Sequence, residues 1–162
     1  MLAALRERRN REDEGFTLIE LMVVVLIIAI LLAIAIPTFL GARDRANDRA
    51  AQSSLRNALT AAKTIFTDNQ SYASADPAGL LLVEPSLTYL ATGTTSETFK
   101  EVSVDGAAVS AWYGASKSKS GICYQIKDAS GASGGTTYRK GSATCSATDA
   151  VTASASFTTD GW

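Results

Sequence analysis

The sequence predicts an α+β chain: a long N-terminal helix packed on a small antiparallel β-sheet, with a disulfide-bounded loop towards the C-terminus. Three observations predict it. From Leu21 to Ala42 no residue is charged. From Arg43 to about Asn69 apolar residues recur at i, i+3 and i+4, the period of a helix with one buried face. From about residue 98 they alternate at period two, the mark of half-buried strands.

The first fifteen residues, MLAALRERRNREDEG, are polar and charged. Arg6, Arg8, Arg9 and Arg11 are balanced by Glu7, Glu12, Asp13 and Glu14. Residues 16–42 follow as a membrane-type helix. Leu21–Ala42 alone spans roughly 33 Å at 1.5 Å per residue, enough for a hydrocarbon core of about 30 Å. Arginines ahead of such a span favour a cytoplasmic N-terminus, with the remainder outside.

Three processing schemes compete for this segment. A secretory signal peptide would be cut after it, at Ala33-Ile34-Ala35. A plain anchor would stay uncut. The third scheme cuts before the apolar run and keeps it. Glu20 separates them, because neither a signal peptide nor an anchor gains from a carboxylate there. Acidic residues inside a bilayer are costly and as a rule paired or functional; the alternative is a Glu20 at the interface, reaching headgroup water.

The run Gly15-Phe16-Thr17-Leu18-Ile19-Glu20-Leu21 resembles the type III (prepilin) cleavage site of type IV pilins and their pseudopilin relatives. The likeness covers about the first 55 residues. It has a short charged leader, Gly before the cut, Phe after it, Glu four residues later, an unbroken apolar helix, and Pro37 where many pilins carry a kinking proline. The leader departs from the family by ending in Glu12-Asp13-Glu14 instead of a basic residue. The resemblance implies removal of residues 1–15 by a prepilin peptidase, which also N-methylates Phe16. Gly15 leaves the scissile bond open to close approach. It further implies that Glu20 pairs with the Phe16 amine of a neighbouring subunit. Each charge is expensive alone in a dry environment and tolerable together. Pro37 cannot bond the carbonyl of Ala33, and Gly41 weakens the same turn, so a kink or local unwinding is expected there.

Residues 43–69 read as an amphipathic helix with Ala51, Leu55, Ala58, Leu59, Ala62, Ile65 and Phe66 on its buried stripe. The cluster Arg43, Asp44, Arg45, Asp48 and Arg49 reads either as a solvated face or as a source of salt bridges between packed subunits. Residues 70–97 read as a connecting region. Asp76-Pro77 and Gly79 interrupt regular structure, and Leu80–Val83 form an apolar turn docked on the core. Residues 98–162 read as sheet and C-terminal loop. Val102 and Val104 alternate, as do Val109, Ala111, Tyr113 and Ala115, and then Ile122, Tyr124 and Ile126. Lys117–Gly121 is a turn between strands. Ser130–Gly135 is a flexible loop, Thr136–Tyr138 a short strand, and Ser154–Phe157 a last one.

The cysteines lie too far apart for a CxxC redox or zinc motif. On the exported side of a membrane they suggest one disulfide, Cys123–Cys145, a reduced buried pair being the alternative. In pilins the segment such a bridge closes is exposed and variable and shapes lateral contacts. Lys127, Asp128, Arg139 and Lys140 are the contact candidates within it.

The net charge of −1 argues against a nucleic-acid-binding face. The absence of histidine removes Ser-His and Cys-His nucleophile pairs and the HExxH zinc motif. No catalytic residue, metal ligand or cofactor is therefore expected, and no enzyme. The expected function is a structural subunit that homopolymerises into a type IV pilus; the alternative is a pseudopilin of a type II-like secretion or DNA-uptake system. The expected partners are copies of itself, the prepilin peptidase and methyltransferase, an inner-membrane assembly platform, and membrane lipid before assembly. The precursor is expected in the cytoplasmic membrane with its N-terminus inside, and the product on the cell surface.

Overall fold

The computed structural model describes residues 16–162, except 107, 132–133 and 142–143, and the backbone alone at 154. The chain divides between Ala42 and Arg43 into two compact units. Helix α1, Leu18–Asn69, contributes its first part to one and its second part to the other.

In the N-terminal unit the apolar residues are exposed throughout. Leu21, Ile27, Leu32, Ile36 and Phe39 are each at least half accessible. The helical backbone runs on through Pro37 and Gly41. Just past the proline, the Thr38 hydroxyl donates to the Ile34 carbonyl at 3.0 Å. Among the described residues, one helix, α1, is long and apolar enough to cross a membrane.

The second unit is a folded head. Its sheet has the order β1-β2-β3-β4-β5: Thr88–Leu90, Glu101–Asp105, Ala111–Lys117, Cys123–Ala129 and Gly135–Lys140. β2 to β5 pair antiparallel, while β1 runs parallel to β2 at the edge. The purely antiparallel expectation thus gains a parallel edge strand. Three residues are too few to show a period, so β1 was invisible to pattern reading.

The α1 stripe packs as its spacing predicts. Ala51, Leu55, Ala58, Leu59, Ala62 and Ile65 are buried, joined in one core by Val102, Val104, Trp112, Tyr124 and Ile126 from the sheet. Small residues dominate the helix side, and the large Trp112 fills the gap. Its indole N–H donates to the Ala75 carbonyl at 3.2 Å. A Cβ on Gly114 would lie 2.7 Å from the Trp112 ring and 3.3 Å from Leu55, so the glycine is what lets that ring lie flat. In β3 the phase of the pattern misleads. Val109, Ala111, Tyr113 and Ala115 alternate, but the residues turned to α1 are the intervening Trp112 and Gly114.

The opposite sheet face is also covered. Ala115 packs against Cys123 and Cys145. Helix α3, Ala147–Thr152, sits beside them, with the Ala147 N–H donating to the Ser103 hydroxyl at 3.0 Å. Sheets covered on both faces lose clean alternation, which accounts for the continuous burial of Val102–Val104 and Cys123–Ile126.

Two local expectations change. Asp76-Pro77 starts helix α2, Pro77–Val83, instead of interrupting structure. Asp76 is the N-cap, accepting from the Gly79 N–H at 2.8 Å, and proline suits the first helical position because its missing N–H would be unpaired anyway. The last strand expected at Ser154–Phe157 is instead a 3-10 turn, Ser154–Ser156. Only Thr158 bridges to the sheet, opposite Tyr138. The expected loop Ser130–Gly135 lies partly outside the described residues.

Candidate functional site

The site singled out by the sequence is the junction of leader and helix. Gly15 and the leader lie outside the described residues. Phe16 is the first described residue, with its ring 82% exposed. Helix α1 begins two residues later, and its start is fixed by Thr17 and Glu20. The Thr17 hydroxyl accepts from the Glu20 N–H at 3.2 Å. The Glu20 carboxylate accepts from the Thr17 N–H at 2.9 Å and from its hydroxyl at 2.7 Å. This is a capping box: cap and third helical residue satisfy each other's unpaired backbone donors. The signal was present in the sequence as Thr-x-x-Glu ahead of an apolar run, and sequence reasoning fixed on Glu20 alone.

Phe16 precedes the cap and is not helical, so it does not stand on the helix face four residues before Glu20. It nevertheless lines one shallow groove with Ile19, Glu20, Val23 and Val24. Next to this groove, Ile19, Met22, Val23, Leu26 and Ala29 line a second, almost wholly apolar one. A surface this apolar calls for lipid or protein cover.

In the head, Cys123 and Cys145 are bonded at 2.05 Å, with 5.4 Å between their α-carbons. What they enclose is mostly sheet: β4 and β5 both lie between them. This alters the candidate contact residues. Asp128 is buried, accepts from the Tyr72 and Thr136 hydroxyls, and pairs with Lys63. Burial raises the Asp128 pKa, but the hydrogen bonds from Thr136 and Tyr72 and the Lys63 charge outweigh it and hold it below the usual carboxylate range. Arg139 bonds Gln125 at 2.7 Å and Asp149 at 3.2 Å. Both are structural here. Lys127 and Lys140 lie over the Tyr113 and Tyr124 rings, at 5.8 and 6.0 Å.

Residues 10–36 match the family of the prokaryotic N-terminal methylation motif. The chain is 39% identical over 64 residues to the type IV wide pilus major component PilA4 of Thermus thermophilus, a stretch covering 40% of this chain and 49% of that protein. It is 46% identical over 65 residues to the type IV major pilin protein PilA of Myxococcus xanthus, covering 40% of this chain and 30% of that one. Over this segment the chain is similar to type IV pilins. It spans half the length, or less, of the curated pilins it matches. No solved structure matches it. Phe16, Thr17, Glu20 and the exposed helix as far as Ile36 fall within the methylation motif. No group of three or more metal-binding side chains occurs among the described residues.

Proposed function

We propose that this chain is a pilin precursor, cut between Gly15 and Phe16, N-methylated on Phe16, and polymerised into a type IV pilus through its apolar helix. One observation carries the reading: the methylation motif runs directly into a capped helix whose apolar surface is wholly uncovered. Cleavage ahead of that helix retains it, and burying it against other copies removes a large apolar surface from water.

Glu20 then acts as a register device. In the single chain its carboxylate is held by Thr17. In the filament it also meets the Phe16 ammonium of a neighbour, and a subunit docked out of register leaves both charges unpaired. The soft turn at Pro37 and Gly41 lets the core helices bend. The precursor spans the cytoplasmic membrane with its N-terminus inside, is processed by the prepilin peptidase, and is passed to an inner-membrane assembly platform. The major-pilin names of the two relatives favour the pilus over a pseudopilus.

Intact mass and N-terminal sequencing of the mature protein test the processing. The expected product starts at N-methylated Phe16 and contains one disulfide. A product starting at Ile36, or an uncut chain, overturns the reading. Imaging of surface fibres containing the chain tests the assembly. A secretion defect on deletion, without such fibres, would favour the pseudopilin.

A further inference from the structure

The head is electrically polarised in a way its composition conceals. Residues 43–162 hold eleven cations and eleven carboxylates, for no net charge. Five exposed cations, Arg43, Arg45, Arg49, Lys119 and Lys140, gather at one end, together with Lys100 and Lys117 and with four of the carboxylates, Asp44, Asp48, Glu97 and Glu101. That end therefore carries +3 and the rest of the head −3.

Hydrogen bonds establish the gathering. Asp48 lies six residues along α1 from Ala42, where the uncharged run stops. Its carboxylate accepts from the Ser120 hydroxyl, while the Ser120 N–H donates within the β3–β4 turn to the Ser118 hydroxyl at 3.1 Å. This fastens the turn Ser118–Gly121, and Lys119 at its tip, to the start of the head. Lys140, at the end of β5, sits over the Tyr124 ring. Tyr124 in turn reaches Gln52 and Asp48. The Lys140 charge is close enough to help hold Asp48 below its usual range, against a burial contribution that raises it.

All five cationic side chains are exposed. The ion pairs among the described residues, Lys63–Asp128, Lys117–Glu97 and Arg139–Asp149, involve none of them. Basic residues directly beyond an apolar span lie at the headgroup layer, where each one gains when the lipids of that leaflet are anionic. Arginine and lysine stems also lie well along apolar surface while their heads stay wet.

We propose that Arg43, Arg45, Arg49, Lys119 and Lys140 form a collar that binds anionic phospholipid headgroups in the leaflet bordering the head. The inference rests on the membrane-embedded precursor of the proposed function. It adds a second hold on the bilayer besides the apolar helix, one that must be released when the subunit leaves the membrane.

The test uses the full chain in lipid nanodiscs of phosphatidylcholine, with and without phosphatidylglycerol. Lysine acetylation rates are read by mass spectrometry. Lys119 and Lys140 should be acetylated about fivefold more slowly in the anionic discs. Lys127, towards the far end of β4, should not respond, and half-molar salt should abolish the difference. Replacing the three arginines (Arg43→Gln, Arg45→Gln and Arg49→Gln together) should weaken the protection of both lysines without unfolding the head. Equal lysine rates in chains that float with both kinds of disc overturn the collar alone. Failure to float with either disc overturns the membrane reading as well. Protection that needs no anionic lipid and rises with copies per disc overturns the collar in favour of an acidic surface on a second copy.

Discussion

Lys63 on α1 and Asp128 on β4 meet at 2.9 Å, and the lysine also donates to the Thr136 hydroxyl at 3.0 Å. The Tyr72 hydroxyl, just past the end of α1, closes the same carboxylate from the other side. Three side chains, from the helix, the segment after it and β5, thus converge on one buried charge on β4. Burial, and then the Asp128 carboxylate itself, push the Tyr72 phenol well above its ordinary range. The pair stays a neutral donor and a charged acceptor across physiological pH.

This cluster makes the head acid-sensitive. Asp128 titrates lower in the folded state than in the unfolded one. Its contribution is therefore fully present above the ordinary carboxylate range and is lost as pH falls through the folded value. Melting of the detergent-solubilised chain should show a stability loss below about pH 4 that Asp128→Asn largely removes. At pH 7, Asp128→Ala should cost about 2–3 kcal/mol in urea unfolding, because two hydroxyls lose a charged acceptor.

The Thr17–Glu20 box separates two roles of one carboxylate. Thr17→Ala removes the cap hydroxyl and should cost about 1 kcal/mol of local helix stability. The charge at Glu20 stays, so filaments should still form. Glu20→Ala should leave membrane insertion intact, read by flotation, while the yield of sheared filaments collapses. Normal yield from the alanine variant would end the register argument.

Reducing the Cys123–Cys145 bridge should destabilise the head by about 3 kcal/mol in the chain-entropy account. Urea midpoints with and without dithiothreitol measure it. A Cys123→Ala, Cys145→Ala double variant should match the reduced protein.

Gly114→Ala should be costly for a residue so small. Its methyl group meets the Trp112 ring at 2.7 Å and can be seated only by turning that ring against Leu55. Overpacking of this kind costs about 1–3 kcal/mol. Tryptophan fluorescence should report the displaced indole together with the lowered melting temperature.

How much of this was legible depended on how far each element announces itself along the chain. The α1 stripe from Ala51 to Ile65 was readable because about four turns repeat one period. Val102 with Val104, and Tyr124 with Ile126, were readable for the same reason at period two. β3 was found but faced wrongly. A tryptophan, a glycine and a serine form its helix-facing row, and only one of the three is large and apolar. Helix α3 and the parallel β1 are too short for any period. The Ser146 cap, whose hydroxyl accepts from the Asp149 N–H at 3.3 Å, was the available clue to α3. At the candidate site, Glu20 stood out as a carboxylate in an apolar run. Thr17 did not, because its role exists only in the backbone hydrogen bonds it exchanges. The reach of Asp128 to Lys63 and Tyr72 joins residues more than fifty positions apart, and no local pattern encodes it.

In the proposed pilus each subunit would bear load, and the placement of the bridge decides what that load can unravel. Cys123 and Cys145 are 22 positions apart and enclose both β4 and β5. Tension applied at the two ends of the chain passes across the sulfur atoms and bypasses everything between them. Some 75 Å of contour length, at roughly 3.4 Å per residue, is thereby withheld from extension until the bridge is reduced. Pulled apart, the oxidised head would come up short by that length, with the loop of β4 and β5 still tied shut.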